Sequence, residues 1–142
     1  PEVRQAGSRY AVIHYGEQSR LVLAELSHDL RLMLLDYGDL APPELDIVLI
    51  DGWRSGAEQT AAKARGASTL DAGKSKHNGF PSKAFDFNVW PALPKNATAI
   101  RIAAEYGKRV GFMLALAARR DVKLRCGIDW TKPYDPYHVE LA

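Results

Sequence analysis

Apolar residues in this chain follow two rhythms. Between Glu17 and Tyr37 they recur every three or four positions, at Leu23, Leu26, Leu30, Met33, Leu34 and Tyr37. That is the period of one helix face, and it predicts a long amphipathic helix ending near Gly38 and the "APP" beyond it. The next apolar stretch, "LDIVLI" (Leu45 to Ile50), is compact and β-branched and predicts a buried strand. A turn follows, then an Ala-rich helix from about Gly56 to Arg65, stopped by Gly66. After a polar loop rich in Gly, Pro, Ser and Asn, "AFDFNVW" predicts a second strand. Asn96 reads as the N-cap of a helix running to about Arg120. That helix is apolar around most of its girth, through Ile100, Ala103, Ala104, Val110, Met113, Leu114 and Ala117, so a central position is expected for it. "VKLRCGIDW" and "YHVELA" predict two short final strands. Strands separated by helices of unequal length, with hairpin-like late strands, imply an α+β fold with a small antiparallel sheet packed with helices. A doubly wound α/β fold would need more strands and a phosphate loop.

Composition narrows the class without changing this outline. The 142 residues suffice for one domain around one core, and no repeat or domain-separating linker divides them, so residues 1–142 are expected to form a single domain. With 46% hydrophobic and 25% charged residues the chain reads as soluble and globular. A net charge of +2 is compatible with an anionic polymer as substrate but too weak to argue for nucleic acid. The single cysteine, Cys126, permits no internal disulfide and suits a reducing compartment. The N-terminal residues lack the apolar core of a signal peptide, and the longest apolar run, "GFMLALAA", is too short to span a bilayer. Action outside the cytoplasm would therefore need another factor to deliver the protein.

The chemistry concentrates around "KSKHNGFPSKAFDFNVWP", residues 74–91. Asp86 stands between Phe85 and Phe87 in an otherwise hydrophobic strand, and a buried carboxylate is costly unless paired, hydrogen-bonded or bound to metal. His77 precedes it by nine positions. A second imidazole, His138, lies in "YDPYHVEL", where alternation puts His138 and Glu140 on one strand face and Val139 and Leu141 on the other. Two imidazoles and one carboxylate form a three-ligand zinc set with the fourth position left to water, the pattern of catalytic rather than structural sites. The bland alternative is that each residue is merely structural. Asp135, three residues before His138 in a Pro-bounded turn, is placed to act as a base toward such a water. Arg54, at the end of the first strand in "DGWRS", has two readings: a surface salt bridge, or a guanidinium for a substrate carboxylate or a developing oxyanion. His14 (in a strand-like N-terminal piece) and His28 (off the leucine stripe) are expected to play no part, and Cys126 reads as a small buried hydrophobe.

Taken together, these segments resemble a known family. "SKHNGFPSKAFDFNVWP" is similar to the Ser-x-His…Ala-x-Asp signature of the zinc D-alanyl-D-alanine carboxypeptidases and dipeptidases, and especially of the phage L-alanyl-D-glutamate endopeptidases. "YDPYHVEL" resembles the family's second motif, "DGWRSGAEQ" its Tyr-Arg-Ser…Gln segment and "CGIDW" its Gly-Gly-Asp-Trp, all in family order between residues 52 and 141. The His77–Asp86 gap is two longer than in the commonest version and resembles the longer version among phage enzymes. The acidic residue three before His138 is Asp where the dipeptidases have Glu, which again resembles the phage enzymes. Trp53 stands where Tyr is more usual.

The resemblance implies a hedgehog/DD-peptidase-like fold, one zinc ion per chain held by His77, Asp86 and His138, Asp135 as general base, Arg54 stabilising the tetrahedral intermediate, and Ser75 supporting the site from behind the ligands. It implies hydrolysis of the peptidoglycan stem peptide, with L-alanyl-D-glutamate cleavage by a phage endolysin favoured. The rivals are a D-alanyl-D-alanine carboxypeptidase and a zinc-bearing wall-peptide binding module without catalysis. On this reading the protein is a monomer without a separate wall-binding domain. It would wait in the host cytoplasm until a holin-type pore releases it to the periplasm and wall.

Overall fold

The leucine stripe that predicts one long helix is carried by two. In the computed structural model, which describes residues 13–132 and 134–142, α1 (Glu17–Glu25) and α2 (His28–Leu40) are separated by a break at Leu26 and Ser27. The cause lies far along the chain. The Ser27 N–H donates to the Ser82 carbonyl at 2.9 Å, and the Ser82 N–H donates to the Glu25 carbonyl at 2.8 Å. The Arg31 guanidinium covers the Leu23 and Leu26 carbonyls at 3.2 and 2.8 Å. Backbone groups that a continuous helix would pair internally are thus satisfied from outside. The stripe itself remains in the core, with Leu26, Leu30, Met33, Leu34 and Tyr37 all buried.

The remaining elements are β1 (Ile47–Asp51), α3 (Gly56–Ala64), β2 (Ala84–Val89), α4 (Ala99–Arg119), β3 (Leu124–Cys126) and β4 (His138–Leu141). The four strands form one antiparallel sheet in the order β1-β2-β4-β3, and the architecture is α+β as expected. α3 opens with a capping box in which Ser55 and Glu58 satisfy each other's backbone N–H groups. β1 begins two residues later than expected, because Pro43–Leu45 forms a 3-10 turn. α4 is capped by the Thr98 hydroxyl, which accepts from the Arg101 N–H at 3.1 Å, rather than by Asn96.

α4 is not central. Tyr106, Val110, Met113, Leu116 and Ala117 face the core, whereas Ile100 is 83% exposed and Ala103, Ala104 and Leu114 also face solvent. The alanines that made the helix look apolar all round are small enough to tolerate water at little cost. Among the described residues no helix is long and apolar enough to cross a membrane. Most of the N-terminal piece read as strand-like lies outside the described residues; His14 itself sits in irregular backbone ahead of α1, and His28 is exposed at the start of α2.

Candidate metal centre and base

Strand register builds the site. Asp86 on β2 is the direct cross-strand partner of His138 on β4, so both side chains leave the same face of the sheet. Phe85, Phe87 and Val89 occupy the other face of β2 and are buried in the core. Asp86 is therefore not sunk among phenylalanines, as the bare sequence implied: the pleat turns it away from them, and its side chain keeps 17% exposure toward a cleft. His77 reaches the same point from the polar loop. Its backbone carbonyl accepts from the Arg54 N–H at 2.8 Å, and its backbone N–H donates to the Ser75 hydroxyl at 3.2 Å.

The three side chains converge on one point with their lone pairs inward. His77 Nδ1 lies 2.6 Å from the Gly52 carbonyl, which can only accept, so Nδ1 carries the proton and Nε2 is free in the neutral ring. His138 Nε2 lies 2.8 Å from Glu140 Oε1, so in the neutral ring a proton held there leaves the Nδ1 lone pair facing inward. His77 Nε2 and His138 Nδ1 are 3.2 Å apart, and Asp86 Oδ1 lies 3.4 Å from the first and 3.0 Å from the second. Three acceptors facing one another repel unless a cation or a proton sits between them. Donors held about 2.0–2.1 Å from a tetrahedral zinc ion are separated by roughly 3.3 Å, close to the spacing seen. These three residues are the one metal-capable group of His, Cys, Asp and Glu among the described residues.

The electrostatics agree. Burial alone would raise the Asp86 pKa, but the two imidazoles outweigh it and hold the carboxyl well below the usual carboxylate range. Burial would lower His138, yet the Asp86 and Glu140 carboxylates together push it up to about 9.

The cleft around the triangle has a volume of about 230 Å³ and is lined by Arg54, Ser75, Asp135 and Trp130 as well as the three donors. Asp135 Oδ1 is buried and accepts no hydrogen bond from any described residue. Burial first, and then the negative Asp86, raise its pKa above the ordinary value. Gly127 explains how this residue comes so close. A Cβ there would stand 2.9 Å from the Asp135 Cβ and would strike the Asp135 carbonyl oxygen, so only glycine admits the segment. The contact is fixed by the Asp135 N–H donating to the Gly127 carbonyl at 3.1 Å.

Arg54 is not a surface ion pair. Its side chain is 12% exposed, with one terminal nitrogen 2.7 Å from Asp51 Oδ2 and 3.7 Å from Asp86 Oδ2, and the other 2.8 Å from Gln59 Oε1. Gln59 is fully buried and also donates to Ser68 Oγ and the Leu70 carbonyl, tying the cleft wall to the arginine. Ser75 touches the His77 backbone rather than a ligand ring. Cys126 stays in the core, its thiol pushed up to about 11 by burial.

Asp51, Gln59, Asn78 and Gly127 received no role from the sequence. A buried Gln in the Ala-rich α3 was the one available signal, since a polar side chain on a helix's inner face needs partners. Asn78 pins the His77 loop by donating to the Arg54 carbonyl at 3.0 Å and accepting from the Gly73 and Ser75 N–H groups.

No family model and no curated protein matches the sequence. Among solved structures, the L-Ala D-Glu endopeptidase ChiX of Serratia marcescens superposes with a TM-score of 0.67 at 18% identity, covering 93% of this chain and 91% of that one. The two chains share a fold.

Proposed function

We propose that this protein is a zinc-dependent endopeptidase that hydrolyses the peptidoglycan stem peptide at its L-alanyl–D-glutamate bond, as the lysis enzyme of a bacteriophage. The observation that carries the reading is the meeting, in one cleft, of three inward-facing donors with a buried carboxylate oxygen that has no partner among the described residues. The choice of bond is supported by the fold shared with an L-Ala D-Glu endopeptidase and by the resemblance of the motifs.

His77 Nε2, Asp86 Oδ1 and His138 Nδ1 would hold one zinc ion. When bound, zinc supplies Lewis acidity, polarising a carbonyl oxygen and acidifying a water molecule. Asp135 takes the proton of the attacking water and returns it to the departing amine. Its raised pKa brings it nearer the range in which both transfers are efficient. Arg54, held by Asp51 and Gln59, directs its positive charge at the developing oxyanion. Gly52 and Glu140 occupy the outer ring nitrogens, so both imidazoles keep their inner lone pairs for the metal.

The test is mass spectrometry of soluble fragments from purified peptidoglycan, digested by the zinc-loaded protein and by Asp135→Ala. Fragments with a new glutamate N-terminus, missing with the variant, support the reading. Released D-alanine would move the protein to the carboxypeptidases. An absence of fragments from zinc-loaded protein would make it a binding module.

A further inference from the structure

A second cavity, of about 420 Å³, lies on the far side of the segment that carries Asp135. Tyr134 and Tyr137 line both this cavity and the metal-side cleft, while Asp135 faces only the cleft and Pro136 only the cavity. A ligand laid across the two tyrosines would therefore occupy both.

We propose that this cavity is a carbohydrate subsite, taking the uncharged sugar to which the stem peptide is joined; the inference rests on the peptidase reading above. The two hollows differ in charge. The cleft presents Arg54, His77, Asp86, Asp135, His138 and Glu140, whereas no Asp, Glu, Lys, Arg or His lines the cavity among the described residues. Its polar groups are amide and phenol. The Tyr106 hydroxyl donates to Asn88 Oδ1 at 3.2 Å, leaving the Asn88 NH2 to donate elsewhere. The Tyr106 and Tyr137 rings lie 6.3 Å apart at 63° and give the cavity an angled aromatic wall.

A stem peptide is asymmetric in the same sense. Beyond the L-alanine it carries carboxylates and an amine, and before the L-alanine it joins a neutral sugar bearing hydroxyl and acetamido groups. A charged peptide end pressed against a neutral wall would lose hydration without a counter-charge. A sugar instead offers C–H faces to the aromatic rings and acceptors to the Asn88 amide, the mixture of apolar wall and few placed polar groups typical of small-molecule sites.

The experiment compares kcat/KM of the zinc-loaded enzyme on a disaccharide-linked stem peptide and on the same peptide capped with a plain acetyl group. Wild type is expected to favour the sugar-linked substrate about tenfold or more. Ala92→Trp fills the cavity and Asn88→Ala removes its donor, and in either variant the ratio should fall toward one, with circular dichroism confirming the fold. Asn88→Ala carries the test alone if the larger substitution does not fold. A wild-type ratio of one, or an advantage that survives in the folded variants, overturns the subsite while leaving the peptidase reading intact. Cleavage of neither substrate by wild type overturns the peptidase reading, and the subsite with it.

Discussion

His138 and Asp135 are three residues apart and share a cleft, but the chain holds them by different means. His138 belongs to β4, paired directly with Asp86, and its outer nitrogen is fixed by Glu140 two residues on. Glu140 is in turn paired across the sheet with Arg125, which lies 3.6 Å from it and covers the Trp130 ring at 5.5 Å. Asp135 belongs to irregular backbone, held by its N–H donating to the Gly127 carbonyl, by its carbonyl accepting from the His138 N–H at 3.2 Å, and by close approach to Gly127. Asp86 and His138 are thus set by strand register, which moves only if the sheet does, and Asp135 is set by a tertiary contact that one methyl group would break. Affinity for metal and catalytic competence should therefore be separable by mutation.

The largest effect should come from the register-held side. His138→Ala removes one donor of three and is expected to abolish both zinc retention, read by elemental analysis after dialysis, and peptidoglycan hydrolysis. Asp135→Ala should instead keep zinc at one per chain and lose turnover by roughly 10²–10⁴-fold. If Asp135→Ala also lost the metal, the division between the two regions would be wrong.

Gly127→Ala sharpens the comparison without touching either functional group. The added methyl must displace the Asp135 backbone. A shift of about 1 Å in a base costs on the order of 10²-fold in rate. The expected signature is a fall in kcat with zinc content unchanged. Glu140→Gln tests the other side. It weakens the hold on the His138 N–H, and zinc affinity should fall about 10–100-fold in a competition titration with a chelator.

The same division explains what was legible in the sequence. Strand alternation announced that His138 and Glu140 share a face, and the chemistry of two imidazoles and a carboxylate announced a metal. Both are local properties. The contact of Gly127 with Asp135 is not, because nothing in "CGIDW" alone says what backbone will come against it. The break between α1 and α2 was illegible for a similar reason, since Ser82, far along the chain, supplies the pairing that makes it affordable. α4 was misread because exposed alanines count as apolar in a periodicity but have little area to bury. Gln59 could have been suspected as a polar side chain on the Ala-rich α3, yet only the folded chain shows that it and Asp51 hold the Arg54 guanidinium.

The smallest effect concerns what fills the triangle when metal is removed. His138 has its pKa pushed up to about 9, above the roughly 6.5 of an unfolded histidine. A raised folded-state pKa contributes stability that is complete below about pH 6.5 and disappears as the pH climbs through 9. Asp86 works in the opposite sense, since its depressed pKa stabilises above about pH 4 and is lost on acidification. The zinc-stripped protein should therefore be most stable between these limits and should lose about 2 kcal/mol between pH 6 and pH 8.5. That corresponds to a fall of roughly 5–10 °C in Tm for a domain of this size. Cys126, with its own raised pKa, weakens the fold only as the unfolded thiol ionises above about pH 8.5, and does so with or without metal. Zinc bound at the triangle would take the place of the His138 proton, so the zinc-loaded protein should show little of this fall. The check is a pair of thermal melts at pH 6 and pH 8.5, with chelator and with zinc. Equal pH dependence in both would mean that the proton and the metal do not compete for His138 Nδ1, and that the inward-facing donors are not the metal's seat.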